Sequence, residues 1–100
     1  MDEYYEFLRD ILDIPHIHIQ PPPNHRIEYP CLIVELDKRE VTMADGSVYI
    51  LDNRYQLTYI TRDVADKTYK NILDLPFTTY KARFVNDGLY HETYESYFKE

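Results

Sequence analysis

The sequence predicts an α+β fold: a largely antiparallel sheet of four or five strands, two helices packed on one of its faces, and a protruding β-hairpin, all within a single domain spanning residues 1–100. Three observations carry that prediction. In Arg54-Tyr55-Gln56-Leu57-Thr58-Tyr59-Ile60-Thr61 the residues Tyr55, Leu57 and Tyr59 alternate with Arg54, Gln56 and Thr58, the period of two expected of a strand with one apolar face. The period then changes to about 3.6, with Ala65, Tyr69, Ile72 and Leu73 against Asp66, Lys67, Lys70 and Asp74, as in an amphipathic helix. Finally, Asp45-Gly46 stands between two short apolar runs and supplies the positive φ angles that tight hairpin turns require.

Each element has its own local signal. From Asp2 to Leu12, the residues Tyr4, Phe7, Leu8, Ile11 and Leu12 recur at spacings of three and four and predict a first helix. Asp2, Glu3 and Glu6 lie where carboxylates favour the helix dipole, and Pro15 ends the segment. Ile14–Ile19 reads as a short strand. Gln20–His25, with Pro21-Pro22-Pro23 inside it, reads as an extended loop that cannot pair fully in a sheet. Pro30–Leu36 begins as a strand buried on both faces and becomes one-sided, and Asp37-Lys38-Arg39-Glu40 carries it into solvent. Val41-Thr42-Met43 and Val48–Leu51 then form the hairpin. In the second helix Asp63 is the expected N-cap and Pro76 the stop. Thr78–Phe84 follows as a strand with Tyr80, Ala82 and Phe84 inward, Asn86-Asp87-Gly88 turns the chain, and Leu89–Phe98 is the last strand. Neither face of that last strand is cleanly apolar, so it is expected at a sheet edge or against a partner.

Composition narrows the functional classes. Eleven Lys and Arg against 18 Asp and Glu give a formal charge of −7, which disfavours adhesion to nucleic acid or an anionic membrane. The longest apolar runs, such as Cys31-Leu32-Ile33-Val34, fall far short of the ~20 residues of a membrane span, and the acidic start lacks a signal-peptide profile. The single cysteine, Cys31, reads as a small buried hydrophobe and fits a reducing compartment. Eleven tyrosines with no tryptophan suit a sheet core and protein interfaces alike.

Catalytic signals are weak throughout. His16 and His18 share a strand face at a spacing that binds metal only if a third ligand converges, and nothing in the spacing selects His25, Cys31 or His91 for that role. Two glycines exclude a glycine-rich phosphate loop, and neither Ser47 nor Ser96 lies in a nucleophile context. The expectation is a protein that is not an enzyme, with no metal and no cofactor. Arg54, Arg62, Lys67, Lys70, Lys81 and Arg83 gather around the second helix and its neighbouring strands. They read either as a solvated surface or as the basic half of a head-to-tail contact. The hairpin, in turn, is either covered within the subunit or an arm that packs on a neighbour.

Taken with Ile72-Leu73-Asp74-Leu75-Pro76, Phe84–His91 and Tyr29-Pro30-Cys31-Leu32-Ile33-Val34, the stretch Arg54–Asp63 resembles the small tail-terminator or tail-completion proteins of long-tailed bacteriophages and prophages. These are also described as head-tail joining or minor capsid proteins. The resemblance covers most of residues 1–98, and Pro21-Pro22-Pro23 departs from it. It implies a structural virion protein of a siphovirus, assembled in the bacterial host cytoplasm as a hexameric ring at the head-proximal end of the tail tube. The implied partners are further copies of the chain, the tail tube protein and the head-tail connector or stopper protein. DNA passes through such a ring without specific binding. Expected contact residues are Met43, Asp45, Gly46, Val48, Tyr49, Tyr94 and Tyr97, and Glu35, Asp37, Glu92 and Glu95 are the expected acidic lining. The other readings are a neck adaptor or stopper, a monomeric protein-binding module, and a small metal-dependent enzyme built on His16 and His18.

Overall fold

Alternating apolar residues can bury only one face of a strand, and the chain solves this by laying its helices over that face. The computed structural model describes residues 2–21, 27–44 and 46–99, with the side chains at 2, 40–44, 47–51 and 99 outside that description. The elements are α1 (Asp2–Ile11), β1 (Ile17–Ile19), β2 (Cys31–Ala44), β3 (Ser47–Thr61), α2 (Tyr69–Leu73), β4 (Thr78–Asn86) and β5 (Leu89–Lys99). The five strands form one sheet in the order β1-β2-β3-β5-β4. β1 runs parallel to β2 and the other three pairings are antiparallel, so the sheet is mixed.

The core lies between the helices and one sheet face. Leu32 and Val34 of β2 stand in register with Tyr59 and Leu57 of β3, and Leu57 with Tyr94 of β5. All five are buried, together with Tyr4, Leu8, Leu12 and Ile14 from the N-terminal segment and Ile72 and Leu75 around α2. The Tyr4 ring stacks on Tyr55 at 4.2 Å between centroids and meets Phe98 at 5.0 Å, fixing the start of α1 over the middle of the sheet. The period of α1 is as expected apart from Ile11, which is 52% exposed because only a narrower stripe faces the core.

The second helix is shorter than its sequence period implies. Asp63 does not cap it: its Oδ1 accepts from the Ala65 N–H at 2.9 Å, and its carbonyl accepts from the Asp66 N–H at 3.1 Å. Asp66 Oδ1 then accepts from both the Thr68 N–H and the Thr68 hydroxyl. Two aspartates thus bond the backbone two residues on, offering it a turn in place of a helix, and α2 begins only at Tyr69. Ala65 and Leu73, expected on the packed side, are exposed.

Three register shifts interrupt the pairing, one of them in the arm between Thr42 and Met43, and the other two change which described side chains share a face. In β2 the register shifts between Leu36 and Lys38, and in β4 between Tyr80 and Ala82. The second shift resets the alternation: Tyr80 pairs with buried Tyr94, whereas Ala82 and Phe84 pair with Thr93 and His91 on the opposite face. The expected inward set of Tyr80, Ala82 and Phe84 is therefore split, and Phe84 is 48% exposed. β5, expected at an edge or against a partner, is an inner strand, and β4 is outermost on that side among the described residues.

The β4–β5 turn, Asp87-Gly88, holds both residues at positive φ, +52° and +75°. A Cβ on Gly88 would meet nothing within 4 Å, so backbone strain alone opposes a side chain there. Gly88→Val is expected to cost about 1–2 kcal/mol, measured as a lowered melting temperature in thermal denaturation, and an unchanged melt would show that the turn relaxes freely.

Candidate functional site

Among the described residues, neither helix covers the second face of the sheet. Its rows run across the strands: His18, Ile33, Thr58, Thr93 and Ala82 in one, and Glu35, Gln56, Glu95 and Thr79 in the next. The middle of this face carries short or β-branched side chains, which makes it shallow. At one end Cys31 and Ile60 are buried, and burial pushes the Cys31 thiol up to about 11, leaving it protonated and unreactive at neutral pH.

Charges cross this face as an alternating chain. The bulge after Leu36 turns Asp37 toward Arg54, whose Nε donates to Asp37 Oδ2 at 2.9 Å. Arg54 also lies 3.9 Å from Glu95, Lys81 Nζ lies 3.2 Å from the other Glu95 oxygen, and the Tyr97 hydroxyl donates to Glu95 at 3.1 Å. Lys81, foremost, and the Tyr97 and Arg54 contacts hold the Glu95 carboxyl below the usual carboxylate range. Of the four carboxylates expected together, Glu35, Asp37 and Glu95 therefore share the open face, two of them neutralised by Arg54 and Lys81. Glu92 lies apart from these three: strand parity places it on the helix-covered face, where it accepts from the Tyr94 hydroxyl at 3.2 Å.

Beyond this face the sheet is two-stranded among the described residues. β5 last pairs at Lys99↔Asp52, whereas β2 and β3 continue pairing from Glu40↔Asp52 to Ala44↔Ser47. The result is an arm, and the molecule measures 52 × 29 × 25 Å. Of the residues expected to make contacts, Gly46 lies exposed at the tip with φ of +78°. Asp45 lies outside the described residues, as do the side chains of Met43, Val48 and Tyr49, although Met43 and Val48 pair in the arm. Tyr97 is half-buried on the open face. Tyr94 is a correction: it is completely buried in the core, edge-on to Tyr80 at 5.5 Å, and offers no surface to a neighbour.

The histidine pair is built as expected for neighbours on one strand face, with parallel rings 6.4 Å apart, and His16 Nε2 lies 3.4 Å from Glu28 Oε2. Among the described residues no cluster of three or more His, Cys, Asp or Glu converges on one point. Tyr29, Pro30, Thr61, Arg62 and Asp63 line a crevice of about 150 Å³, below the roughly 300–1,000 Å³ of small-molecule pockets. What the sequence reading missed is the exposure of β4, where Phe84 and Val85 are about half exposed. The signal was Lys81 and Arg83 flanking Ala82, a charge pattern typical of protected sheet edges. Comparison with protein-family models, curated proteins and solved structures gave no match.

Proposed function

We propose that this chain is a ring-forming structural subunit of the tail-terminator kind, which caps the head-proximal end of a phage tail tube and presents a surface to the head connector. The reading starts from the sequence resemblance, and the observation that carries it is the two-stranded arm formed by Glu40–Ala44 and Ser47–Asp52. An isolated two-stranded hairpin is marginally stable in water at best, so an arm of this length gains stability by lying against another subunit. The open sheet face gives a second surface for the same purpose, outside the helix-covered core. In such a ring Glu35 lines the passage beside the Asp37–Arg54–Glu95–Lys81 charge chain, and the net charge of −7, rather than those paired carboxylates, keeps passing DNA from adhering.

Deleting the gene from its phage or prophage and imaging the lysate by negative-stain electron microscopy tests this. Overlong tail tubes beside tailless, DNA-filled heads are expected. Tails of normal length lying unattached would move the function to the neck, as an adaptor or stopper, and unchanged infectious particles would overturn both.

A further inference from the structure

One aromatic side chain stands out of the fold on a strained backbone. Phe77, between α2 and β4, is 80% exposed and has φ of +55°, a left-handed conformation that bulky L residues rarely adopt. Hydrogen bonds on both sides fix it there. The Phe77 carbonyl accepts from the Tyr97 N–H at 3.1 Å, and the Thr78 hydroxyl donates to the Pro76 carbonyl at 3.2 Å while lying 2.8 Å from Ser96 Oγ. The strain brings the ring no burial within the subunit. A rigidly held, exposed aromatic ring is the kind of side chain that anchors protein interfaces.

The same chain carries a crevice that fits this ring. Tyr29, Pro30, Thr61, Arg62 and Asp63 line about 150 Å³ of space with a mainly apolar wall, and an apolar cavity of about that size holds one benzene ring. The volume suits a single phenyl group better than a small-molecule ligand. Its chemistry suits one too: the Tyr29 ring offers a stacking surface, and the Arg62 guanidinium, 5.5 Å from the Tyr29 centroid, already rides on an aromatic face. Knob and hole lie at opposite corners of the sheet. Phe77 is level with Tyr97 and Arg54 and leads into β4, whereas the crevice adjoins Thr61 and the start of β2, on the other side of β3 from β5. From Arg54 to Thr61 the strand covers roughly 24 Å at ~3.4 Å per residue. The chain therefore cannot seat its own Phe77, and a second copy supplies it.

We propose that Phe77 of one copy inserts into the Tyr29–Pro30–Arg62 crevice of the next. The two patches differ, so the contact can repeat head to tail; closure into a ring rests on the tail-terminator reading, while the contact itself does not. The test is sedimentation velocity of the purified chain from micromolar to millimolar concentration, with the thermal melt of each variant recorded beside wild type. Wild type is expected to associate as concentration rises. Phe77→Gly removes the knob, and glycine adopts the same φ without strain, so association should weaken at least about tenfold with the melt retained. Tyr29→Ala takes away one wall of the hole and should cost association as much. Mixing the two variants tests the pairing itself. The Phe77→Gly chain keeps its crevice and the Tyr29→Ala chain keeps its knob, so the mixture should form one-to-one pairs although neither variant associates alone. If Tyr29→Ala fails to fold, Phe77→Gly decides by itself. A wild-type chain that stays monomeric to millimolar concentration, a Phe77→Gly chain that associates as tightly as wild type, or a mixture of folded variants that forms no pairs overturns the proposal. Overlong tails on gene deletion together with a monomeric chain would reject this contact and keep the terminator function. Phe77-dependent association with unchanged tails would do the reverse.

Discussion

Tyr4→Ala is expected to destabilise the fold by about 3–5 kcal/mol, the range for deleting a buried aromatic ring, against a total of about 5–15 kcal/mol for a domain of this kind. Tyr4 is 1% exposed, stacks on Tyr55 and touches Phe98, so its removal empties the contact that holds α1 to β3 and β5 together. In a domain of this length the melting temperature should fall by about 12 °C or more. Tyr4→Phe separates ring from hydroxyl. The hydroxyl is buried beside Ser96 but makes no well-formed hydrogen bond among the described residues, and Ser96 Oγ lies 2.8 Å from Thr78 Oγ1 instead. Removing an unsatisfied buried hydroxyl is expected to be neutral or slightly stabilising. Thermal denaturation followed by circular dichroism measures both variants, and a Tyr4→Ala loss below about 1 kcal/mol would mean that the ring does not anchor the helix.

The parts of this fold that were legible in the sequence are those where one face is strongly buried. Tyr55, Leu57 and Tyr59 sit on a central strand with helices above them, and burial imposes a period of two that nothing local contradicts. Tyr4 and Leu8 are legible for the equivalent reason on a helix. The start of α2 was not, because Asp63 and Asp66 compete for the same backbone with side-chain turns, and the apolar period through Ala65 does not record who wins. Nor was the alternation of β4: a bulge inserts one residue at Lys81, and any reading by strict parity then misplaces Ala82 and Phe84.

The candidate surface follows the same logic. Glu92 and Tyr94 share a face, as parity required, but both faces of β5 mix polar and apolar residues, so the sequence did not say which one meets the helices. Strand order is set by pairing between segments distant in the chain, and it is this order that places β5 inside and exposes β4. The convergence of Asp37 with Glu95 on Arg54 needed both the bulge after Leu36 and the β3–β5 neighbourhood, neither of which has a local signature.

A fold that buries tyrosines in its core should fail at high pH, and this one is expected to unfold cooperatively between about pH 10 and 12. Burial pushes the Tyr4 hydroxyl up from 10.0 to about 12. Burial, then the hydrogen bond to the Asp66 carboxylate at 2.6 Å, does the same for Tyr59, also to about 12. Burial and the Glu92 carboxylate raise Tyr94 as well. In each case the native state keeps the neutral phenol. Below pH 10 native and unfolded chains bind the same protons and the full stability is present. Above it the unfolded chain ionises first, and each such tyrosine removes about 1.4 kcal/mol per pH unit until its native pKa is passed. Three together remove about 4 kcal/mol per unit and about 8 kcal/mol between pH 10 and 12, enough to exhaust a stability in the lower part of the range of about 5–15 kcal/mol. Phenolate absorbance should therefore rise in two stages, gradually for surface tyrosines and then in step with loss of the β-sheet circular dichroism signal. Tyr59→Phe and Tyr94→Phe should each move the second stage to higher pH, since a phenylalanine has no proton to lose. A sheet signal that survives full ionisation of every tyrosine would mean that these hydroxyls reach water in the native protein, and that the core around Tyr59 and Tyr94 is more open than its packing indicates.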